Sequence, residues 1–381
     1  MRASAFLYPW DVIGDPDAPA RIAALGVGQV TLAAAYHSTR ALTPHHPRHR
    51  VVTAEHAAVL YPVDERRWSG SVLRPYAAGR WAPGDAYGEA AEALAAAGLD
   101  VHSWVVLAHN SRLGAEHPET SVVNAYGDRY PWAPCIARPE VRAYLVALAA
   151  EAAVRPGARG TELESCGWYG LAHLHAHDKI AGVTLDDTAQ YLMSLCFCGS
   201  CRQGYGEWGL DAEQLAGEVR AALEPVWGGG ACTGGEKLLE ATVGYRGAVA
   251  RGLQEGVVAA VRGAADPGFQ VLLHADPGVH RCGANVGVDP AGVFGLADGV
   301  VVPCADGRPD LLRPFAAHAD AAGRVLAANF VVVSGMGGAP GRLGEDVARA
   351  AAAGATEVRL YHAGLASGED LVCVRRSGAV G

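Results

Sequence analysis

Short apolar runs alternate along this chain with longer stretches of helical period. The runs at residues 4–8, 29–35, 100–107, 160–166, 269–275, 299–302, 324–333 and 357–361 read as eight strands. Between them, apolar positions recur every three or four residues over 18–25, 86–97, 139–154, 238–262, 291–297, 309–322 and 343–353. These segments read as helices, and Pro139 suits a first helical turn. Eight such alternations predict a closed (β/α)8 TIM barrel, not an open doubly wound sheet. No GxGxxG follows the first strand, which argues against a dinucleotide-binding fold.

The rhythm is broken in three places. Residues 38–84 form a polar stretch with no helical period, and a second long loop leads to Cys135. After strand four the pattern pauses for a large insertion, residues 167–236, which ends in a Gly-rich stretch at 228–235. Residues 1–381 are expected to form one barrel domain carrying that insertion. Long loops inside a compact domain usually serve function.

Composition narrows the classes. Half of the 381 residues are apolar and 19% are charged, the balance of a folded chain. No run approaches the ~18 apolar residues of a membrane helix, so no membrane partner is expected. The net charge of −9 gives no general attraction to nucleic acid. Residues 1–10 are too short in their apolar run for a secretory signal, and a cytoplasmic, reducing location is expected. Of nine cysteines, Cys196, Cys198 and Cys201 lie within six residues. Clustered thiols in a reducing compartment suggest metal before disulfide.

In a barrel the chemistry sits at the C-terminal ends of the strands. The polar and aromatic residues there are Trp10, Asp11, Tyr36, His37, His109, Asn110, Glu162, Glu164, His274, Asp276, Asp306, Ser334, Tyr361 and His362. Some of these would only cap helices. Glu162 and Glu164 alternate on strand four and so share a face. If that face is the barrel interior, burial and like charge would raise at least one pKa, as a general acid needs. Glu164 stands nearer the strand end and is the expected acid. Glu162 lies one layer deeper as a supporting residue, or as the partner of an internal Arg or Lys. Trp10, Trp68, Trp132 and Trp168 fall in loops on the mouth side, where aromatic faces would suit a sugar ring. His37, His109, His274 and Tyr361 would hydrogen-bond that sugar.

The C-x-C-x-x-C segment can wrap one tetrahedral Zn²⁺ with a fourth ligand from elsewhere. With four thiolates the site would be closed and structural. His173, His175 and His177 could bind a metal too, though a polar loop over the mouth accounts for them better, since no second cluster at a fixed spacing supports a catalytic metal. No organic cofactor is expected.

Three segments together resemble the glycoside hydrolase family 42 β-galactosidases. Residues 134–144, Pro-Cys-Ile-Ala-Arg-Pro-Glu-Val-Arg-Ala-Tyr, look like that family's Cys-Pro-x-x-x-Pro-x-x-Arg segment. Residues 162–170 stand where the family has Asn-Glu-Tyr-Gly at the end of strand four. Residues 196–208 are similar to its C-x-C-x-x-C-Arg segment and the aromatic-rich helix that follows. The match spans roughly residues 130–210. It implies a zinc site of Cys135, Cys196, Cys198 and Cys201, and an acid/base role for Glu164. Leu163 replaces the family's Asn. The family's nucleophile is a Glu at the end of strand seven, yet residues 323–344 hold no Asp or Glu. Asp276, at the end of strand five and on one face with His274, is the expected second carboxylate. Asp306, Asp187 and Glu162 are alternatives.

The expected function is therefore cleavage of a glycosidic bond in a small saccharide or glycoside. Two rival readings are a barrel that binds carbohydrate without cleaving it, and a metal-dependent hydrolase or isomerase using residues 173–177. A homo-oligomer is compatible with the chain.

Overall fold

A computed structural model describes residues 1–171, 178–304 and 308–378. The eight strands are β1 (Arg2–Leu7), β2 (Gln29–Tyr36), β3 (Asp100–Val106), β4 (Ala158–Glu164), β5 (Gln270–Asp276), β6 (Gly299–Pro303), β7 (Val325–Val331) and β8 (Glu357–Tyr361). All pair in parallel with their sequence neighbours, and β1 closes the ring by pairing with both β2 and β8. Ala5, for example, stands between Val30 and Leu360. The expected barrel is what the chain forms.

Helices α1 (Ala18–Ala23), α2 (Ala86–Ala96), α4 (Pro139–Ala153), α9 (Arg313–Ala322), α10 (Leu343–Ala352) and α11 (Gly368–Arg376) lie between or after the strands, and α3 (Ser111–Glu116) sits in the loop after β3. The insertion after β4 contributes α5 (Asp187–Met193), α6 (Gly199–Glu207) and α7 (Ala212–Trp227), followed by the 30-residue α8 (Gly235–Ala264) that returns the chain to β5. The helix expected at 291–297 is only a 3-10 turn, Val293–Gly295. Gly292 and Gly295 disfavour a longer helix, and Asp289 caps the turn through the amides of Ala291 and Gly292. The polar stretch 38–84 is not wholly irregular. It holds a hairpin, Thr39–Leu42 with Val51–Ala54, and a short strand, Ala58–Val59, antiparallel to the end of β2.

Strand alternation sets what fills the barrel. Ser4, Thr31, His102, Glu162, His274, Glu357 and Arg359 form a buried polar layer in its lower part. The Nε of Arg359 donates to Oε1 of Glu162 at 2.6 Å, and its Nη1 donates to Oε2 of Glu357 at 2.8 Å. Both Arg359 and Glu162 are wholly buried. Above them the ring fills with Phe6, Trp104, Tyr8, Tyr36 and Tyr361, packed edge to face. These aromatics form a cluster separate from the main core between sheet and helices.

Candidate active site at the barrel mouth

Glu164 is the last residue of β4 and points inward with Glu162. The strand stops there because Ser165 takes a left-handed backbone, φ 57°. His362, just past β8, does the same at φ 62°. No other non-glycine described residue has a positive φ, so both strained positions directly follow strands that bring Glu164 and Tyr361 to the mouth.

The Nε1 of Trp104 donates to Oε2 of Glu164 at 2.9 Å. Burial drives the carboxyl pKa above its ordinary 4.5, while His274 and the Trp104 bond oppose the rise. Glu164 is therefore a carboxyl poised toward its protonated form. Tyr36, Tyr361 and Tyr169 all feel its charge. Their hydroxyls stay protonated, because burial raises each phenol far above its usual range. The Tyr8 hydroxyl lies 3.3 Å from Nδ1 of His362. Burial drives His362 down to about 3, so it is neutral. His109 stacks on Tyr169 with ring centres 4.2 Å apart, and His37 meets His109 edge on at 4.9 Å. The mouth is an aromatic cup around one acid.

Beneath the cup, burial alone would raise Glu162, but the Arg359 guanidinium, helped by His274, holds it down to about 2. Nε2 of His274 lies 3.5 Å from Oε2 of Glu162. The pairing of β4 with β5 sets Glu162 beside Leu272 and Leu163 beside Leu273. Continuing that register puts Glu164 beside His274, with Asp276 one pleat higher, about 7–8 Å away between Cα atoms. Asp276 is half-buried, accepts from the Gly278 amide at 2.8 Å, and has a pKa raised by burial. Arg281, His280 and Asp187 surround it.

Several residues expected to contact sugar have partners within the fold. Glu162 is held by Arg359 beneath the cup. The Oδ1 of Asn110 caps α3 through the Leu113 amide at 3.0 Å. Trp168 is buried, donates to the Arg246 carbonyl at 2.9 Å, and has the Arg246 guanidinium over its ring at 4.4 Å. Trp68 is buried against Tyr144 and donates to Glu151. For Asn110, Trp168 and Trp68 the neighbouring helix uses the side chain, and for Glu162 an opposing strand does. Trp10, Tyr36, His37, His109 and Tyr361 do gather at the mouth, and His274 lies beneath them beside Glu162. Asp306, His173, His175 and His177 lie outside the described residues. Trp104, Tyr8, Tyr169 and Arg359 went unnoticed in the sequence. Alternation on β3 and β8 marks Trp104 and Arg359 as inward-facing, and the spacing of Glu357 and Arg359 mirrors that of Glu162 and Glu164.

Away from the mouth, Cys135, Cys196, Cys198 and Cys201 are buried together, with all four Sγ atoms within 4.8 Å of one another. Cys135 Sγ is 3.6 Å from that of Cys198 and 3.5 Å from that of Cys201. Four thiolates around Zn²⁺ at ~2.3 Å stand about 3.8 Å apart, so the set fits a tetrahedral metal. The Val123 and Cys198 amides donate to Cys196 Sγ, as suits a thiolate ligand. The group could bind a metal. It lies between the loop before α4 and the start of α6, joining insertion to barrel.

No protein-family model matches the chain. No curated protein matches it in sequence. The family 42 resemblance is thus confined to its local segments. Among solved structures the chain is similar to alpha-L-fucosidase isoenzyme 2 from Paenibacillus thiaminolyticus, at 14% identity and TM-score 0.57, over 99% of this chain and 48% of that one. It is also similar to a beta-galactosidase from Rahnella sp. R3, at 11% identity and TM-score 0.56, over 100% of this chain and 55% of that one. The chain spans about half the length of either protein. Its structural neighbours are glycoside hydrolases, and at these identities what it shares with them is the barrel fold.

Proposed function

We propose that the protein is a glycosidase whose general acid is Glu164. The observation that carries this reading is a single inward carboxyl at the end of β4, raised in pKa by burial and ringed by aromatic side chains. Protonated Glu164 gives its proton to the glycosidic oxygen as the C1–O bond breaks. Asp276 is the second carboxylate, either adding to C1 or taking a proton from the attacking water. Tyr36, Tyr361, His37 and His109 hydrogen-bond the sugar, and Trp10 and Trp104 give the ring apolar faces. The fucosidase and galactosidase neighbours support a saccharide substrate. Zn²⁺ is the metal we assign to Cys135, Cys196, Cys198 and Cys201, where it would fix the insertion against the barrel and take no part in the reaction.

The test is turnover of a panel of 4-nitrophenyl glycosides. Glu164→Gln should lower kcat by roughly 10²-fold or more on whichever glycoside the protein cleaves. Undiminished turnover in that variant would overturn the assignment. One observation favours a second reading, a barrel that binds carbohydrate without cleaving it. The inward position near the end of β7 is Asn329, a neutral amide, so no carboxylate faces Glu164 from that strand. Saccharide binding with no hydrolysis across the panel would decide for it.

A further inference from the structure

A second concavity adjoins the cup. It is a cleft of about 370 Å³ lined by Trp10, Ile13, His46, Arg48, His49, Val51–Thr53 and Arg80–Pro83, with Ala86. That volume lies within the range of small-molecule sites. Trp10 forms part of its wall and stacks on Tyr8 with ring centres 4.6 Å apart and planes 12° apart. Tyr8 in turn meets Trp104, the donor to Glu164, at 5.6 Å. Cup and cleft belong to one aromatic and apolar cluster, with Trp81, Val52, Ala82 and Ala86 on the cleft side.

The charge of this cleft is one-sided. It is lined by two arginines and two histidines and by no carboxylate. Neither Arg48 nor Arg80 forms an ion pair among the described residues, in a chain of net charge −9. The arm that carries Arg48 is held in place. Nδ1 of His46 accepts from the amides of Arg48 and His49 at 3.1 and 2.9 Å, and its Nε2 donates to the Ile13 carbonyl at 3.0 Å. Both ring nitrogens are thereby occupied and His46 braces the arm. Nε2 of His45 bonds the Ala366 carbonyl at 2.9 Å, tying the same arm to the segment after β8. Gly14 lacks the Cβ that would stand 2.8 Å from a guanidinium nitrogen of Arg48. The backbone is fixed while the guanidinium stays available.

Two uncompensated guanidiniums over an apolar and indole-walled floor suit a ring that carries an anionic group. A free inorganic ion would leave that floor unused. We propose that this cleft is a subsite for an acidic sugar unit, bearing a carboxylate or a sulfate ester, next to the unit held over Glu164. The proposal rests on the reading that the mouth takes a saccharide.

The test uses the full-length Glu164→Gln chain, with binding read by calorimetry and tryptophan fluorescence. The probes are methyl β-D-glucuronide, glucose 6-sulfate, methyl β-D-glucoside and inorganic phosphate. At least one acidic sugar should bind roughly ten-fold or more tighter than the neutral glucoside, and tighter than phosphate, with affinity falling as NaCl is added. The better of the two tells carboxylate from sulfate. The R48A/R80A double substitution, confirmed as folded by circular dichroism, should abolish the preference. Equal binding of glucuronide, sulfate and neutral glucoside overturns the proposal. So does phosphate matching the acidic sugars, or a preference that survives R48A/R80A. Hydrolysis is scored separately in the unsubstituted protein. A preference without hydrolysis sinks the glycosidase reading alone, and hydrolysis without a preference sinks only the subsite.

Discussion

Trp104, on β3, gives its indole N–H to Glu164, on β4, across 2.9 Å inside the barrel. That bond opposes the rise that burial imposes on the acid. Trp104→Phe keeps the ring and removes the donor, so the Glu164 pKa should climb further. A general acid works only while protonated, and the rate therefore falls as pH rises through its pKa. In a pH profile of kcat/KM, the alkaline limb of W104F should lie at higher pH than that of the parent. An unmoved limb would detach Trp104 from the acid.

The same carboxyl links stability to pH. Glu164 has a folded pKa above its unfolded one, so the stability it contributes is full below the ordinary 4.5 and is lost as pH rises through the folded value. Glu164→Gln has no such loss. Its melting temperature should match the parent in acid and exceed it by a few degrees at neutral pH, as calorimetry across that range would read. A Gln variant less stable at neutral pH would contradict a buried, strained carboxylate.

Arg359 and Glu162 act in the opposite sense. Glu162 is held down to about 2, so its contribution is full above the ordinary carboxylate range and is lost as pH falls toward 2. Arg359→Met strands Glu162 in the barrel and should cost about 3–5 kcal/mol in urea unfolding. Adding Glu162→Gln should recover part of that, because Glu357, the other buried partner, still lacks its cation. Equal losses in single and double variants would mean that packing, not charge, is at stake.

The cysteine set should carry roughly one metal ion per chain. Cys198→Ser, or a strong chelator, should remove it and lower the melting temperature, because a structural metal contributes directly to folding. Elemental analysis beside a thermal scan reads both. Full metal content in C198S would disprove the tetrathiolate assignment.

Ser165, at φ 57°, carries a left-handed cost of about 1–2 kcal/mol. Ser165→Gly should stabilise the fold by up to about 1 kcal/mol, and Ser165→Val should destabilise it by more. If glycine is no better than serine in chemical denaturation, the backbone there is not strained.

Periodicity determined the barrel. Eight apolar runs with helical spacers admit few other closures, since each strand must bury one face in the ring and the other under helices. It determined the level of Glu164 and Glu162 as well, because alternation along a strand is fixed by the backbone. The tight cysteine spacing announced a group that could bind a metal, though Cys135 entered only through resemblance. What periodicity left open was which neighbour each polar side chain would meet. Asn110 looked like a ligand and became a helix cap, and Trp168 was taken by Arg246 on a helix 78 residues away. The partnership of Glu162 with Arg359 joins strands 197 residues apart. Only ring closure and its register bring such groups together. Local pattern fixes the direction of a side chain, and tertiary packing decides which opposing charge, donor or ring it finds there.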